Sequence, residues 1–285
     1  MTVSTEDLTR VALGQGHIGA ALTLSCAAHW NQSASDWRLM IGQGGGIGLE
    51  DGNGTLVASA ITLPYARDVA WISMVLVRQD WQRRGLASDL LVQCIEAVES
   101  RGLIPALDAT PAGEKVYLPL GFVPIFRFQR YELDLGKPAM PQGKGDPSPD
   151  PETFEALAAL DAEAAGAGRP AILADLVARA PGAVCRLDAP EQGFVLARPG
   201  RNAWQIGPLV ADSVDGARRL FDRALARAAQ RRVFIDVPDG QDAFRRHVEA
   251  AGFSPQRPFT RMYKGRDRAF GRPELTFAVA GPELG

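Results

Sequence analysis

Two landmarks occur twice in this sequence, in the same order and at nearly the same separation. Ala70-Trp71 and, after four intervening residues, Leu76-Val77 return as Ala203-Trp204 and Leu209-Val210. Gly121-Phe122, Pro124, Phe128 and Arg130 return at identical spacing as Gly252-Phe253, Pro255, Phe259 and Arg261. Ordered self-similarity is the mark of a duplicated folding unit. At 285 residues the chain is long enough for two copies that each bury a core. Residues 136–151 hold Pro138, Pro141, Pro147, Pro149 and Pro151 and little that is apolar. Such a stretch joins neither a helix interior nor a sheet and reads as extended and exposed. The expected organisation is a first domain over 1–136, a linker over 137–151 and a second domain over 152–285.

The duplicated unit alternates helix and strand patterns. Residues 17–28 and 36–41 predict short helices, the second capped by Ser33 or Ser35. Residues 46–50, 56–66 and 69–78 read as an antiparallel meander, with Asp51-Gly52 and Asn53-Gly54 as turn signals. Leu86, Leu90, Leu91, Ile95 and Val98 recur at helical spacing over 86–100. A strand at 104–109, a short helix at 113–118 and a strand at 123–134 complete the copy. In the second copy, strands are expected at 193–197, 204–210, 233–237 and 259–263, and helices at 216–230 and 243–250.

Composition narrows the function classes. A net charge of −2 gives no broad attraction for nucleic acid or an anionic membrane. The basic residues are nearly all arginine, with lysine only at Lys115, Lys137, Lys144 and Lys264. The first ten residues are polar and include Glu6 and Asp7, unlike a signal peptide. No apolar run reaches the ~20 residues a membrane span requires. Cys26, Cys94 and Cys185 stand apart, and with only His17, His29 and His247 as histidines no metal-ligand spacing occurs. A cytoplasmic, reduced, metal-free protein is expected, with neither nucleic acid nor membrane as partner; a homodimer stays open as its assembly.

The chemistry-bearing segment follows the first Leu76-Val77. A strand ends there, a loop containing Gln82, Arg83, Arg84 and Gly85 follows, and a helix begins near Leu86 and Ala87. Amides at a helix start lack intrahelical partners, and with the helix dipole they favour a phosphate. Gly85 lets the loop bend and a ligand approach the backbone. Arg83 and Arg84 add charge at the mouth of this anion cradle. From the residues alone, an ordinary strand–helix connection with solvated arginines is the competing reading.

The segment Gln82-Arg83-Arg84-Gly85-Leu86-Ala87 resembles the acetyl-CoA loop of the GCN5-related N-acetyltransferase (GNAT) superfamily, Gln/Arg-x-x-Gly-x-Gly/Ala. A tyrosine four residues before a Gly-Phe pair, here Tyr117 before Gly121-Phe122, matches a later element of that family. Trp30-Asn31-Gln32, Asp36-Trp37, Ala70-Trp71-Ile72 and the run 107–111 are similar to a bacterial branch of tandem GNAT proteins. There the C-terminal copy is divergent and carries Ile-Gly-Pro-Leu-Val, here 206–210. The resemblance implies an α+β fold, a mixed α/β sandwich whose central, mostly antiparallel sheet is flanked by helices, in two copies.

Position by position, it implies further roles. Main-chain groups of Val75, Leu76 and Val77 hold the pantetheine arm and thioester carbonyl of acetyl-CoA. Amides of the 82–87 loop, joined by Ser88, bind the pyrophosphate. Tyr117 is the general acid for the departing thiolate, since a phenol of pKa ≈ 10 is protonated at neutral pH. The acceptor is a small-molecule or amino-acid-like amine that attacks directly in a ternary complex, helped by positioning and by an N–H donor to the oxyanion. Trp71 and Trp81 read as packing residues, and His17 and His29 as satisfied helix histidines. No base is identified: the strand 71–77 carries Ser73 as its small polar side chain and no carboxylate. Asn31, Asp36, Ser73 and Asp108 are the substrate-side candidates.

The second copy lacks this apparatus. Ala211-Asp212-Ser213-Val214-Asp215-Gly216 places two aspartates where the first copy has arginines, and Val248 replaces Tyr117. Those carboxylates repel a pyrophosphate. The expected activity is therefore an acetyl-CoA-dependent N-acetyltransferase working from the first copy. The alternative from another class is a non-catalytic acyl-CoA-binding sensor or interaction protein.

Overall fold

The path from Leu8 to Leu107 forms one compact unit and Asp108 to Gly285 a second. The computed structural model describes residues 8–66, 68–137 and 146–285. The central part of the expected linker, 138–145, lies outside the described residues. Asp150 ends the rest of it by capping the next helix, donated to by the Thr153 amide at 2.8 Å.

In the first unit β1 (Thr9–Ala12), β2 (Gly45–Glu50), β3 (Leu56–Tyr65) and β4 (Val69–Val77) pair antiparallel in chain order. β5 (Ile104–Ala109) lies parallel to β4. The helices α1 (Ile18–Ala27) and α2 (Ala34–Gln43) start the chain's helical layer, and α3 (Leu86–Glu99) packs on β3 and β4. The apolar spacing of Leu86, Leu90, Leu91, Ile95 and Val98 explains α3, since all five are buried. β3 and β4 are buried on successive residues, as strands covered on both faces are.

The second unit begins with the end of β5 and contains α4 (Pro111–Tyr117) and β6 (Phe122–Asp134). There follow α5 (Pro151–Ala165), α6 (Pro170–Arg179), β7 (Cys185–Arg186), β8 (Gly193–Pro199), β9 (Trp204–Ala211), α7 (Val214–Leu225) and β10 (Arg232–Pro238). The chain closes with α8 (Asp242–Ala250), β11 (Ser254–Lys264) and β12 (Thr276–Ala278). Strand order is β11-β6-β10-β9-β8-β7, with β12 beside β9.

That order has a feature the repeat alone did not announce. β6 closes the first copy in sequence, yet it lies between β10 and β11 of the second, antiparallel to both. Tyr131 of β6 packs in one core with Trp204, Phe221, Phe244 and Phe253. β6 and β11 pair so that Phe128 faces Phe259, its own counterpart in the repeat. Arg130 grips Asp236 through two bonds of 2.8 and 2.7 Å, and Arg261 grips Asp108 through two of 3.0 and 2.9 Å. The equivalent arginines thus exchange partners between the copies. The repeats meet in sequence at the linker, whereas the compact units divide at Leu107/Asp108.

Candidate functional site

β4 departs from a regular strand at Met74, whose φ of 53° is in the left-handed region. Opposite Ser59 and Ile61 its partners are Leu76 and Ser73, so Met74 and Val75 together face Ala60 in a bulge. A methionine resists that backbone, and the Ser59 hydroxyl compensates by donating to the Met74 carbonyl at 2.9 Å. β9 carries the same irregularity at the equivalent place. Val195 and Ala197 face Leu209 and Ile206, leaving Gly207 and Pro208 in the bulge. The duplication therefore extends to backbone geometry.

Beyond the bulge the two copies part. β4 and β5 are in register from Val69/Ile104 to Trp71/Ala106. Among the described residues no strand pairs with Val75, Leu76 and Val77 on the β5 side. In the second copy β9 and β10 pair from Trp204/Val233 to Ile206/Ile235, and the chain then fills the gap itself. Ala278 and Thr276 of β12 pair with Leu209 and Val210, and the Val279 amide donates to the Asp236 carbonyl of β10 at 3.1 Å. A Cβ on Gly207 would come within 2.1 Å of the Val279 oxygen, so glycine there is what admits the plug. Arg198 fastens it, donating to the Ala280 carbonyl at 2.7 Å and to Glu283 at 2.6 Å.

The loop after β4 has the form of an open anion cradle. Gly85 is the N-cap of α3 with φ 81° and offers no side-chain cap. The first intrahelical bond runs from the Asp89 amide to the Gly85 carbonyl at 3.0 Å, so the amides of Leu86, Ala87 and Ser88 precede it. The direction in which a Gly85 Cβ would point is open space. Gln82 donates to the Val77 carbonyl at 3.1 Å and Arg84 to the Asp80 carbonyl at 3.0 Å, folding the loop back on the strand end. Arg84 also lies 4.7 Å from the centre of the buried Trp81 ring, and Arg83 is exposed with φ 62°. Arg78 holds Asp80 by two bonds of 2.7 and 2.9 Å, which keeps that carboxyl below its usual range. At the matching place α7 caps itself: the Ser213 hydroxyl accepts from the Gly216 amide at 3.1 Å.

Tyr117 ends α4 in the second unit. Its ring lies back over Gly113, where a Cβ would stand 2.9 Å from the ring. It contacts Phe122 at a centroid distance of 6.0 Å. Burial pushes its phenol up to about 12, and a phenol so placed is a proton donor at neutral pH. Thr110 caps α4, accepting from the Gly113 amide at 3.2 Å. The counterpart of Tyr117, Val248, is fully buried in the second copy's core.

The substrate-side candidates lie in varied surroundings, two of them held in internal contacts. Asp36 is buried and completes the capping box of α2, accepting from the Ser33 amide and hydroxyl at 2.7 and 2.8 Å. Asp108 is committed to Arg261. Ser73 points its hydroxyl at the Met40 sulfur, 3.8 Å away, and Asn31 is buried. Sequence reasoning passed over Ser59 and Gly113. A glycine four residues before Tyr117 inside a short helix was the available signal for the second.

Comparison with known proteins bears on this geometry. Residues 22–122 match the Acetyltransferase (GNAT) family and residues 157–278 match the Acetyltransferase (GNAT) domain. A putative acetyltransferase from Pyrococcus horikoshii superposes with a TM-score of 0.80 at 19% identity, over 100% of this chain and 98% of that one. A GCN5-related N-acetyltransferase from Sphaerobacter thermophilus gives 0.63 at 16% identity, over 92% and 96%. A tandem GNAT protein from the clavulanic acid biosynthesis pathway gives 0.60 at 16% identity, over 90% and 98%. At these identities the likeness is one of fold. No functionally curated protein matches the sequence.

Proposed function

Since the chain carries two domains of the acetyltransferase (GNAT) family in tandem, with one family match in each repeat, we propose that it transfers the acetyl group of acetyl-CoA to the amine of a small-molecule or amino-acid-like acceptor, from its first copy alone. The observation that carries this reading is the contrast at equivalent places. One copy has an uncapped helix start beside a splayed strand pair. The other has a capped helix start and a splay stopped by β12.

In this reading the pantetheine arm takes the free edge of Val75, Leu76 and Val77. The pyrophosphate takes the amides from Gln82 through Ser88, with Arg83 and Arg84 adding charge. An extended ligand can bond a strand edge much as a strand would, and the bulge turns main-chain groups out of the ladder toward it. Tyr117 supplies the proton for the leaving thiolate. With Asp36 and Asp108 occupied, the amine is deprotonated through water or enters neutral.

Release of CoA from acetyl-CoA, screened over amines, amino acids and aminoglycosides, tests the activity. Turnover that Tyr117→Phe abolishes supports it. The absence of a carboxylate on β4 favours the second reading, an acyl-CoA sensor; tight binding with no turnover on any acceptor class would establish that instead.

A further inference from the structure

Tyr117 rides on a helix that the core does not fix. α4 spans Pro111–Tyr117 and none of its residues is fully buried, so beside the packing of the Tyr117 ring on Phe122 its polar ties decide where it stands. Two of those ties come from neighbouring residues of β11, the closing strand of the second repeat. Arg261 binds Asp108 through both carboxylate oxygens, just before the helix. Thr260 donates from Oγ1 to Glu114 Oε2 at 3.0 Å, within the helix. Consecutive strand side chains leave on opposite faces, so β11 engages this segment at two separate points. Thr260 and Arg261 are 4% and 6% exposed, so water competes little for either bond. Arg127 of β6, 3.8 Å from Glu114, adds a weaker third tie.

Glu114 and Gly113 stand three and four residues before Tyr117, on its face of the helix. The ring of Tyr117 rests on Gly113, so whatever places Glu114 also places the phenol. We propose that β11 of the second repeat is the positioning element for Tyr117, with Thr260 and Arg261 as its positioning residues. The copy without acetyl-CoA chemistry then serves the acid of the other. This rests on the reading of Tyr117 as the proton donor.

The test uses the full chain labelled with 3-fluorotyrosine. The Tyr117 resonance is identified by its loss in Tyr117→Phe. Thr260→Val keeps the shape and removes the donor; Thr260→Ser keeps the donor. In Thr260→Val the Tyr117 fluorine signal should shift and broaden while that of Tyr65 stays, and Thr260→Ser should restore it. With an acceptor from the CoA-release screen, Thr260→Val should lower kcat by about tenfold or more and leave the acetyl-CoA KM unchanged, again rescued by serine. An unmoved Tyr117 signal and an unchanged kcat in Thr260→Val would overturn the proposal. If Tyr117→Phe keeps full activity while Thr260→Val moves the signal, it is the catalytic reading of Tyr117 that fails, and β11 remains what positions the side chain.

Discussion

Phe128 of the first repeat stacks on Phe259 of the second, ring centroids 5.1 Å apart and planes 13° from parallel, and the two occupy the same position of the duplicated motif. A local two-fold relation therefore runs between β6 and β11. It accounts for the crossed ion pairs: what Arg130 does to Asp236, Arg261 does to Asp108.

These pairs are among the most sheltered in the second unit, with Asp236 and Asp108 side chains at 0% exposure. Asp236→Asn would leave Arg130 charged and without its ion-pair partner in the core. A loss of about 3–5 kcal/mol is expected, read by urea denaturation. Arg232→Gln, which breaks the exposed pair with Glu132, should cost no more than ~1 kcal/mol. Similar costs for the two would show that the buried pair does not hold the exchanged strands.

Acetyl-CoA at about a thousand times its Kd should stabilise the folded chain by about 4 kcal/mol, seen as a higher melting temperature. Arg84→Glu reverses the charge beside the α3 amides and should erase most of that shift. An undiminished shift would place the pyrophosphate elsewhere.

Gly113→Ala builds a methyl 2.9 Å from the Tyr117 ring, so the ring must move. Turnover should fall about tenfold or more with acetyl-CoA affinity retained. Steady-state kinetics that show KM rising and kcat unchanged would contradict this.

The pH dependence follows from the raised phenol. Burial pushes the Tyr117 phenol up to about 12, from 10 for a free phenol. Its neutral form is the one the fold favours, so its contribution to stability is complete below pH 10 and is lost as the pH rises toward 12. Denaturation across that window should show a steeper loss for the wild type than for Tyr117→Phe. Parallel curves would mean that the phenol is not shielded from water.

Calorimetric titration with acetyl-CoA should give a stoichiometry of one per chain, because β12 holds the strand edge of the second copy. Gly207→Ala, which sets a Cβ 2.1 Å from the Val279 oxygen, should loosen β12 and lower stability. Two equivalents bound by the wild type would show the second cleft to be open.

Apart from β1, which no local pattern marked, the elements of the first copy were legible in its residues, because each signal was local. Ser33 and Asp36 announce the capping box of α2, and the apolar spacing from Leu86 to Val98 announces α3. The boundaries of β5 came from an apolar run and held at Ile104 and Ala109. What stayed hidden is set by pairing between distant residues. Nothing near Tyr131 tells that β6 joins the core of Phe221 and Phe244, and nothing near Thr276 tells that β12 lies against β9. A substrate-side candidate shows the same limit: Asp108 looks available in sequence, and only the fold reveals Arg261 as its partner. The bulge at Met74 escaped because a methionine gives no sign of left-handed backbone.

The position of β6 between β10 and β11 also bears on how such a chain can change over generations. On the proposed reading, in which the first copy alone does chemistry, a lesion in the second copy's cleft leaves catalysis untouched. A lesion that unfolds its sheet strips β6 of both neighbours and is removed at once. Exchanged strands thus leave the second copy free to diverge at its cleft while forbidding its deletion.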